Sequence, residues 1–96
     1  MINRLVKMTF RPDAVDHFLQ VFSQCNSSIR QVEGCHHLEL WQDENDPNTF
    51  FTFSRWGTTA DLENYRQSGL FRAIWGTVKP GFAAKPEAWT VAEKVF

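Results

Sequence analysis

The chain has 96 residues, which is enough for one domain and too few for two at the usual size of about 100 to 200 residues per domain. Its hydrophobic content of 43% and aromatic content of 15% are typical of a folded globular chain and exclude disorder over most of the length. The formal net charge is -1 and there is no basic run, which argues against a nucleic-acid partner.

No apolar run approaches the roughly 20 residues that span a bilayer, and the first residues lack the apolar stretch of a signal peptide. We therefore expect a cytoplasmic protein with no membrane partner. Cys25 and Cys35 are expected to stay unpaired in that compartment. Cys35, His36 and His37 are adjacent in an extended segment and alternate between its faces, so we expect no metal site there.

The first half of the chain reads as a strand, a helix and a hairpin. Residues 2–10 alternate, with Ile2, Val6, Met8 and Phe10 on one parity that Arg4 interrupts, and this predicts a strand. Pro12 suits a first helical position, and the apolar spacing over 15–29 predicts a helix that ends before residue 34. Two further strands, 35–42 and 49–56, are predicted to pair across the turn-rich stretch 43–48.

The second half reads as two short helices, a loop and a strand. Thr58 and Asp61 resemble a capping box, and the helical pattern that follows breaks at Ser68 and Gly69. Residues 79–86 predict a loop, and the alternation over 88–95 predicts a strand that ends the chain. This order matches the ferredoxin-like βαββαβ arrangement, an α+β fold whose antiparallel sheet carries helices on one face. We expect residues 1–96 to form a single domain.

Both faces of the predicted sheet are apolar. Phe51 and Phe53 share one face of the third strand, whereas Phe50 and Trp56 share the other, and the helices cover only one face. A second copy, packed sheet against sheet by two-fold symmetry, is the simplest cover for the remaining face. We therefore predict a homodimer.

The sequence resembles the antibiotic biosynthesis monooxygenase family of the dimeric α+β barrel superfamily. The resemblance covers nearly the whole chain and rests on three segments, namely Gly34-Cys35, Phe51-Thr52-Phe53-Ser54-Arg55-Trp56, and Tyr65-Arg66-Gln67-Ser68 with Leu70-Phe71. It implies a monooxygenase pocket between helices and sheet, where a small aromatic substrate, such as a quinol, an anthrone or a polyketide-like molecule, reacts with dioxygen. Members often need no cofactor, because the deprotonated substrate itself passes an electron to oxygen.

The resemblance also implies roles for particular residues. Asn3 and Trp56 match an Asn and a Trp of the related haem-degrading monooxygenases and are the expected catalytic residues. The expected substrate-binding residues are Tyr65, Phe71, Trp75, Thr52 and His37. Thr52 stands where polyketide-tailoring members have an asparagine. At most one of His36 and His37 can enter the pocket, where it would be a possible general base, and Arg72 is a possible guide for an acidic substrate.

Two alternatives remain open at this stage. One is a haem-binding or haem-degrading relative, although the place of the iron-ligating histidine is taken by Trp75, whose indole cannot bind iron. The other is a non-catalytic dimeric module that binds a ligand. Haemin binding would test the first, and oxygen consumption would test the second.

Overall fold

The computed structural model describes all 96 residues. Its helices and strands, in chain order, are β1 (Ile2–Thr9), α1 (Val15–Arg30), β2 (Cys35–Gln42), β3 (Thr49–Trp56), α2 (Thr59–Arg66), α3 (Gly69–Val78) and β4 (Glu87–Val91). The sheet order is β2-β3-β1-β4, and every neighbouring pair of strands is antiparallel. The predicted ferredoxin-like α+β fold is confirmed. None of the helices is long and apolar enough to cross a membrane.

The last strand is shorter than the alternation predicts, because β4 ends at Val91 rather than near Val95. Its only neighbour is β1, and Val91 already lies opposite Asn3, close to the start of the chain. Asn3 is the second residue of β1, so β1 offers at most one further partner beyond Val91. The prediction that the chain ends on a strand is wrong for this reason.

Side-chain caps start both short helices where the sequence predicts them. The Thr58 hydroxyl accepts a hydrogen bond from the Asp61 N–H at 3.1 Å, before α2. The Ser68 hydroxyl accepts one from the Phe71 N–H at 3.1 Å, before α3. Such caps satisfy backbone donors that the first helical turn leaves free, so the chain stops one helix and begins another at Ser68.

The core fills one end of the space between the sheet and the helices. Phe10 stacks on Phe18 with ring centroids 4.4 Å apart, and the Phe50 ring lies 5.2 Å from that of Phe18. Met8 and Val78 complete this buried cluster. Because these side chains are large, this end of the sheet leaves no open space.

The strand register separates the side chains of the sheet into two faces. On the face toward the helices, Arg4 lies opposite Ser54 and Val6 lies opposite Thr52. The other face, which we call the open face, carries Leu5, Phe51 and Phe53, together with Trp41, Trp89 and Val91. Trp41, Trp89 and Val91 are 45%, 40% and 40% exposed in the single chain. Both faces are thus apolar, as predicted.

Gly34 makes the turn into β2 in a backbone conformation that other residues rarely adopt. Its φ is +86°, and its carbonyl accepts a hydrogen bond of 2.8 Å from the Gly57 N–H. A Cβ at position 34 would overlap the carboxyl group of Asp61. The entry to β2 and the corner after β3 therefore depend on a glycine here.

We predict that Gly34→Ala lowers the free energy of unfolding by about 1–3 kcal/mol, because it strains the backbone and displaces Asp61. Gly69→Ala is the matched control, since a Cβ at that helical position meets no atom within 4 Å. The control is expected to unfold at the same or a higher urea concentration, because alanine favours the helix by up to about 1 kcal/mol. Equal midpoints for the two variants would contradict the prediction.

Candidate functional site

A cavity of about 330 Å³ lies between the helix-facing side of the sheet and the three helices. Its lining is mostly apolar, and 14 of its 20 residues are hydrophobic. Small-molecule sites are typically concave, mainly apolar and about 300–1,000 Å³, so this cavity has the size of a site for a compact ligand. On the sheet side its lining includes three short side chains, those of Thr52, Ser54 and Ala88.

Four aromatic side chains form a continuous wall of the cavity. Trp56 stacks on Tyr65 at 4.9 Å between centroids, Tyr65 meets Phe71 edge to face at 5.3 Å, and Phe71 stacks on Trp75 at 5.6 Å. Phe71 and Trp75 come together because they are four residues apart on α3. All four were predicted site residues, and Thr52 also lines the cavity.

The indole N–H of Trp56 is already engaged inside the protein. Trp56 is 1% exposed, and its N–H donates a hydrogen bond of 3.0 Å to the Ser54 hydroxyl. The two side chains meet because they are two residues apart on one strand and so share a face. The indole N–H of Trp56 is thus directed at Ser54, and the catalytic role expected of Trp56 stays a prediction.

Tyr65 keeps its proton at neutral pH. Burial raises the pKa of its phenol, and the thiols of Cys25 and Cys35 add smaller contributions in the same direction. The structure contains no hydrogen bond from its hydroxyl to another protein group. Tyr65 can therefore donate a hydrogen bond to a ligand, but it is not a base near neutral pH.

Asn3 does not reach the cavity. It has the opposite parity to the cavity-lining residues of β1 and lies on the open face, where Arg55 and Val91 are its neighbours across the sheet. The expectation that Asn3 and Trp56 face one cavity is wrong, because alternate residues of a strand point to opposite sides.

The histidines and Arg72 also lie outside the cavity. A β-bulge between Cys35 and His37 inserts one residue, after which His37 lies on the open face and hydrogen-bonds Glu39 at 2.6 Å. His36, the inserted residue, has its ring beside Gly57. Arg72 is exposed on α3. The prediction of a histidine in the pocket is wrong, because the bulge resets the alternation of β2.

The sequence analysis missed four polar residues of the cavity lining, namely Arg4, Ser54, Arg66 and Glu87, and the first two face each other across the sheet. Burial, and secondarily the charge of Arg66, lower the pKa of Arg4, while Glu63 opposes them. The available signal was parity, since Arg4 falls in line with Val6 and Met8, and Ser54 falls between Thr52 and Trp56. No group of three metal-ligating side chains is present.

Comparisons with known proteins point to one family. The model of a family described as antibiotic biosynthesis monooxygenase matches residues 1–75. No curated protein sequence matches the chain.

Similar solved structures share the fold at low sequence identity. A crystal structure named as an antibiotic biosynthesis monooxygenase aligns with a TM-score of 0.92 and 18% identity, covering 99% of this chain and 100% of its own. A candidate antibiotic biosynthesis monooxygenase from Nitrosomonas europaea aligns with a TM-score of 0.89 and 15% identity, covering 97% of this chain and 98% of its own. A conserved protein from Methanosarcina mazei aligns with a TM-score of 0.90 and 18% identity, covering 97% of this chain and 92% of its own. At this identity the likeness shows the fold alone.

We predict that Ser54→Ala lowers the free energy of unfolding by about 1–3 kcal/mol, because it leaves the buried Trp56 N–H without an acceptor. A double-mutant cycle with Trp56→Phe checks the cause, since the phenyl ring has no N–H. The loss caused by Ser54→Ala should be smaller in the Trp56→Phe background. Equal losses in the two backgrounds, measured by urea unfolding, would show that this hydrogen bond does not stabilise the fold.

Proposed function

The chain belongs to the antibiotic biosynthesis monooxygenase family, and we propose that it is a cofactor-independent monooxygenase that oxidises a small aromatic molecule with dioxygen. The observation that carries this proposal is the aromatic wall of a cavity of about 330 Å³. Flat aromatic faces favour stacked or edge-to-face contact with another ring. A quinol, an anthrone or a polyketide-like compound of two or three fused rings has the matching shape.

The proposed reaction requires only that the protein bind the substrate, orient it and shield it from water. For an anthrone, loss of a proton from the ring CH₂ gives an anion, which passes one electron to dioxygen and leaves a substrate radical and superoxide. Their recombination forms a C–O bond and gives a peroxide anion, which takes back a proton to become a hydroperoxide. The hydroperoxide loses water, so CH₂ and O₂ become C=O and H₂O. Orientation and exclusion of water are what a mostly apolar cavity supplies to such steps.

In this proposal, four aromatic residues and one hydroxyl hold the substrate. Trp56, Tyr65, Phe71 and Trp75 contact the ring system, and Thr52 contributes a polar group on the sheet side. Trp56 acts as a wall and as the donor that orients the Ser54 hydroxyl, rather than as a direct donor to the substrate. The phenol of Tyr65 is the free donor on the wall.

We further propose that residues 1–96 act as one domain. The family model stops at residue 75, but the segment beyond it is built into the same structure. β4 adds to the sheet beside β1, and the Phe82 ring lies 5.2 Å from that of Phe10 in the core. The cytoplasm is the expected compartment, and the free thiols of Cys25 and Cys35 are compatible with its reducing conditions.

A homodimer is the proposed assembly, joined through the open face. Trp41 stacks on Phe53 at 5.3 Å, and Leu5 lies between Phe53 and Trp89 in one row across the sheet. A contiguous apolar surface of this kind typically marks a contact site. Two-fold packing of sheet on sheet would bury this row in both copies.

Haem chemistry is the weaker alternative. Trp75 takes the place of the iron-ligating histidine and stacks on Phe71 in the wall. None of the three histidines lines the cavity. A non-catalytic ligand-binding module remains the alternative from another class, and the activity test below separates it from an enzyme.

We predict that the protein, dialysed against a chelator and free of flavin, consumes one O₂ per anthrone faster than uncatalysed oxidation does. An oxygen electrode and the absorbance of the ketone product measure the two sides of the reaction. Thr52→Phe should lower the rate by about 100-fold, because the added ring fills the cavity and misplaces the substrate. Naphthalene-1,4-diol serves as the quinol in the same assay.

Thr77→Phe is the matched control, because Thr77 is exposed on α3 and outside the cavity lining. This variant should oxidise anthrone at the rate of the unmodified protein. Tight binding of anthrone without oxygen uptake would favour the binding module, and equal rates for the two variants would place the reaction outside this cavity.

We predict a mass in solution near twice 11.2 kDa, measured by light scattering after size exclusion, because a two-fold dimer covers the open face. Phe53→Glu should shift the mass to that of one chain, since it puts a charge in the apolar row. Leu19→Glu, at an exposed site on α1, should leave the mass unchanged. A single-chain mass for the unmodified protein would disprove the dimer.

A further inference from the structure

One row of three residues across the sheet, two of which line the cavity, is polar. Thr90 of β4, Arg4 of β1 and Ser54 of β3 lie directly opposite one another across three neighbouring strands. Side chains opposite each other in an antiparallel pair have Cβ atoms about 4.5–5.5 Å apart. A cation and a hydroxyl therefore stand side by side beneath the aromatic wall.

The Arg4 guanidinium has no carboxylate partner in the protein. The ion pairs of the structure are Arg11–Asp13, His37–Glu39 and Arg66–Glu63. Arg4 donates one long hydrogen bond of 3.4 Å to the Thr90 hydroxyl. A guanidinium has five N–H donors, so most of those on Arg4 have no acceptor within the protein. Arg4 is partly exposed, and an anionic ligand would give its free N–H groups charge-assisted hydrogen bonds in place of water.

The charges nearest to Arg4 leave its end of the cavity positive. Arg66 also lines the cavity and repels Arg4, and together with burial this lowers the pKa of Arg4. Glu63 partly compensates for this positive charge, but its carboxylate forms an ion pair with the Arg66 guanidinium, with an N···O distance of 3.2 Å. Glu87 borders the cavity but lies opposite Lys7, on the parity of the open face, three positions along β1 from Arg4 and therefore about 10 Å away.

The Ser54 hydroxyl is free to donate a hydrogen bond. Its oxygen accepts the hydrogen bond from the Trp56 N–H, and the structure contains no hydrogen bond in which Ser54 donates. Ser54 is 8% exposed and lines the cavity beside Arg4. Acceptance from Trp56 orients the hydroxyl and strengthens it as a donor.

We propose that Arg4 and Ser54 together bind an anionic oxygen of the aromatic substrate. This inference rests on the monooxygenase function proposed above and narrows its substrate class to aromatic acids or to phenols that ionise in the site. The oxygen is either a carboxylate on the ring or the ionised hydroxyl of a quinol. In the second case Arg4 favours loss of the proton to water, and no histidine is needed in the cavity.

The first arm of the test is calorimetric titration, under nitrogen, with 2-naphthoate and with 2-naphthamide, which are similar in shape and differ in charge. The acid should bind about 10- to 100-fold more tightly than the amide, as expected for hydrogen bonds to a charged group. Arg4→Gln should remove most of that preference, and Arg4→Lys should keep part of it. Arg72→Gln, at an exposed position outside the cavity, should leave it unchanged.

The second arm uses 1-naphthol and follows the absorbance of the naphtholate as the pH rises. If the anionic oxygen is the ionised hydroxyl, bound naphthol should ionise at a lower pH than free naphthol, and Arg4→Gln should abolish the difference. A carboxylate preference without this shift identifies the ring acid as the ligand group. The naphthol shift without a carboxylate preference identifies the ionised hydroxyl.

Equal binding of acid and amide, together with unshifted ionisation of naphthol, would overturn the anion site. So would a preference for the acid that survives in Arg4→Gln. Either result leaves the monooxygenase proposal standing if neutral anthrone is still oxidised, because ligand binding is measured without oxygen. Failure of all three naphthalene ligands to bind would also overturn the anion site, and the monooxygenase proposal would fall only if anthrone were not oxidised either.

Discussion

The alternation of side chains along β1 and β3 is the constraint on which the rest of the structure depends. Successive residues of a strand point to opposite faces, so a single parity decides what each residue meets. One parity sends Arg4, Val6, Ser54 and Trp56 toward the helices, and the other sends Leu5 and Phe53 to the open face. Because apolar residues occupy both parities, the helices cover only one of the two apolar faces of the sheet. The same pattern therefore creates the cavity on one side and the need for a partner surface on the other.

The cavity exists because side-chain size changes along the helix-facing side of the sheet. At one end, Met8 and Phe50 lie opposite each other and fill the space beneath α1 with Phe18. Toward the other end the facing residues shorten to Thr52, Ser54 and Ala88, while the wall above them is made of rings that stack on one another. Rings that pack side by side do not reach down to fill the gap. The caps at Thr58 and Ser68 set where each helix starts, and so hold Tyr65 and Phe71 in contact.

Local patterns predicted most of the elements, and long-range pairing explains the errors. Alternation located β2 and β3, the capping box at Thr58 located the start of α2, and Ser68-Gly69 located the break before α3, because those signals are short in range. The length of β4 depended instead on where its partner β1 begins. His37 was misplaced because the bulge at His36 adds one residue and leaves no clear signal in the sequence. The family resemblance puts Asn3 in the site, but the parity of β1 puts it on the open face, opposite Arg55 and Val91. The pairing of Arg4 with Ser54 needs the register of two strands that are 50 residues apart in sequence, which single-strand patterns do not contain.

The electrostatics of the cavity follow from which groups stay neutral. Burial raises the pKa of Tyr65, and it also raises those of the nearby thiols of Cys25 and Cys35, so these acids keep their protons near neutral pH. Arg66 shares its charge with Glu63, and Glu87 is three strand positions from Arg4. The guanidinium of Arg4 is thus the main uncompensated charge at its end of the cavity. In a site of low polarity a fixed charge acts more strongly than in water. In the proposed reaction, the deprotonated substrate and then superoxide would each form in the field of that cation. One arginine on the sheet would therefore both select an acidic ligand and stabilise the charge that oxygen chemistry creates.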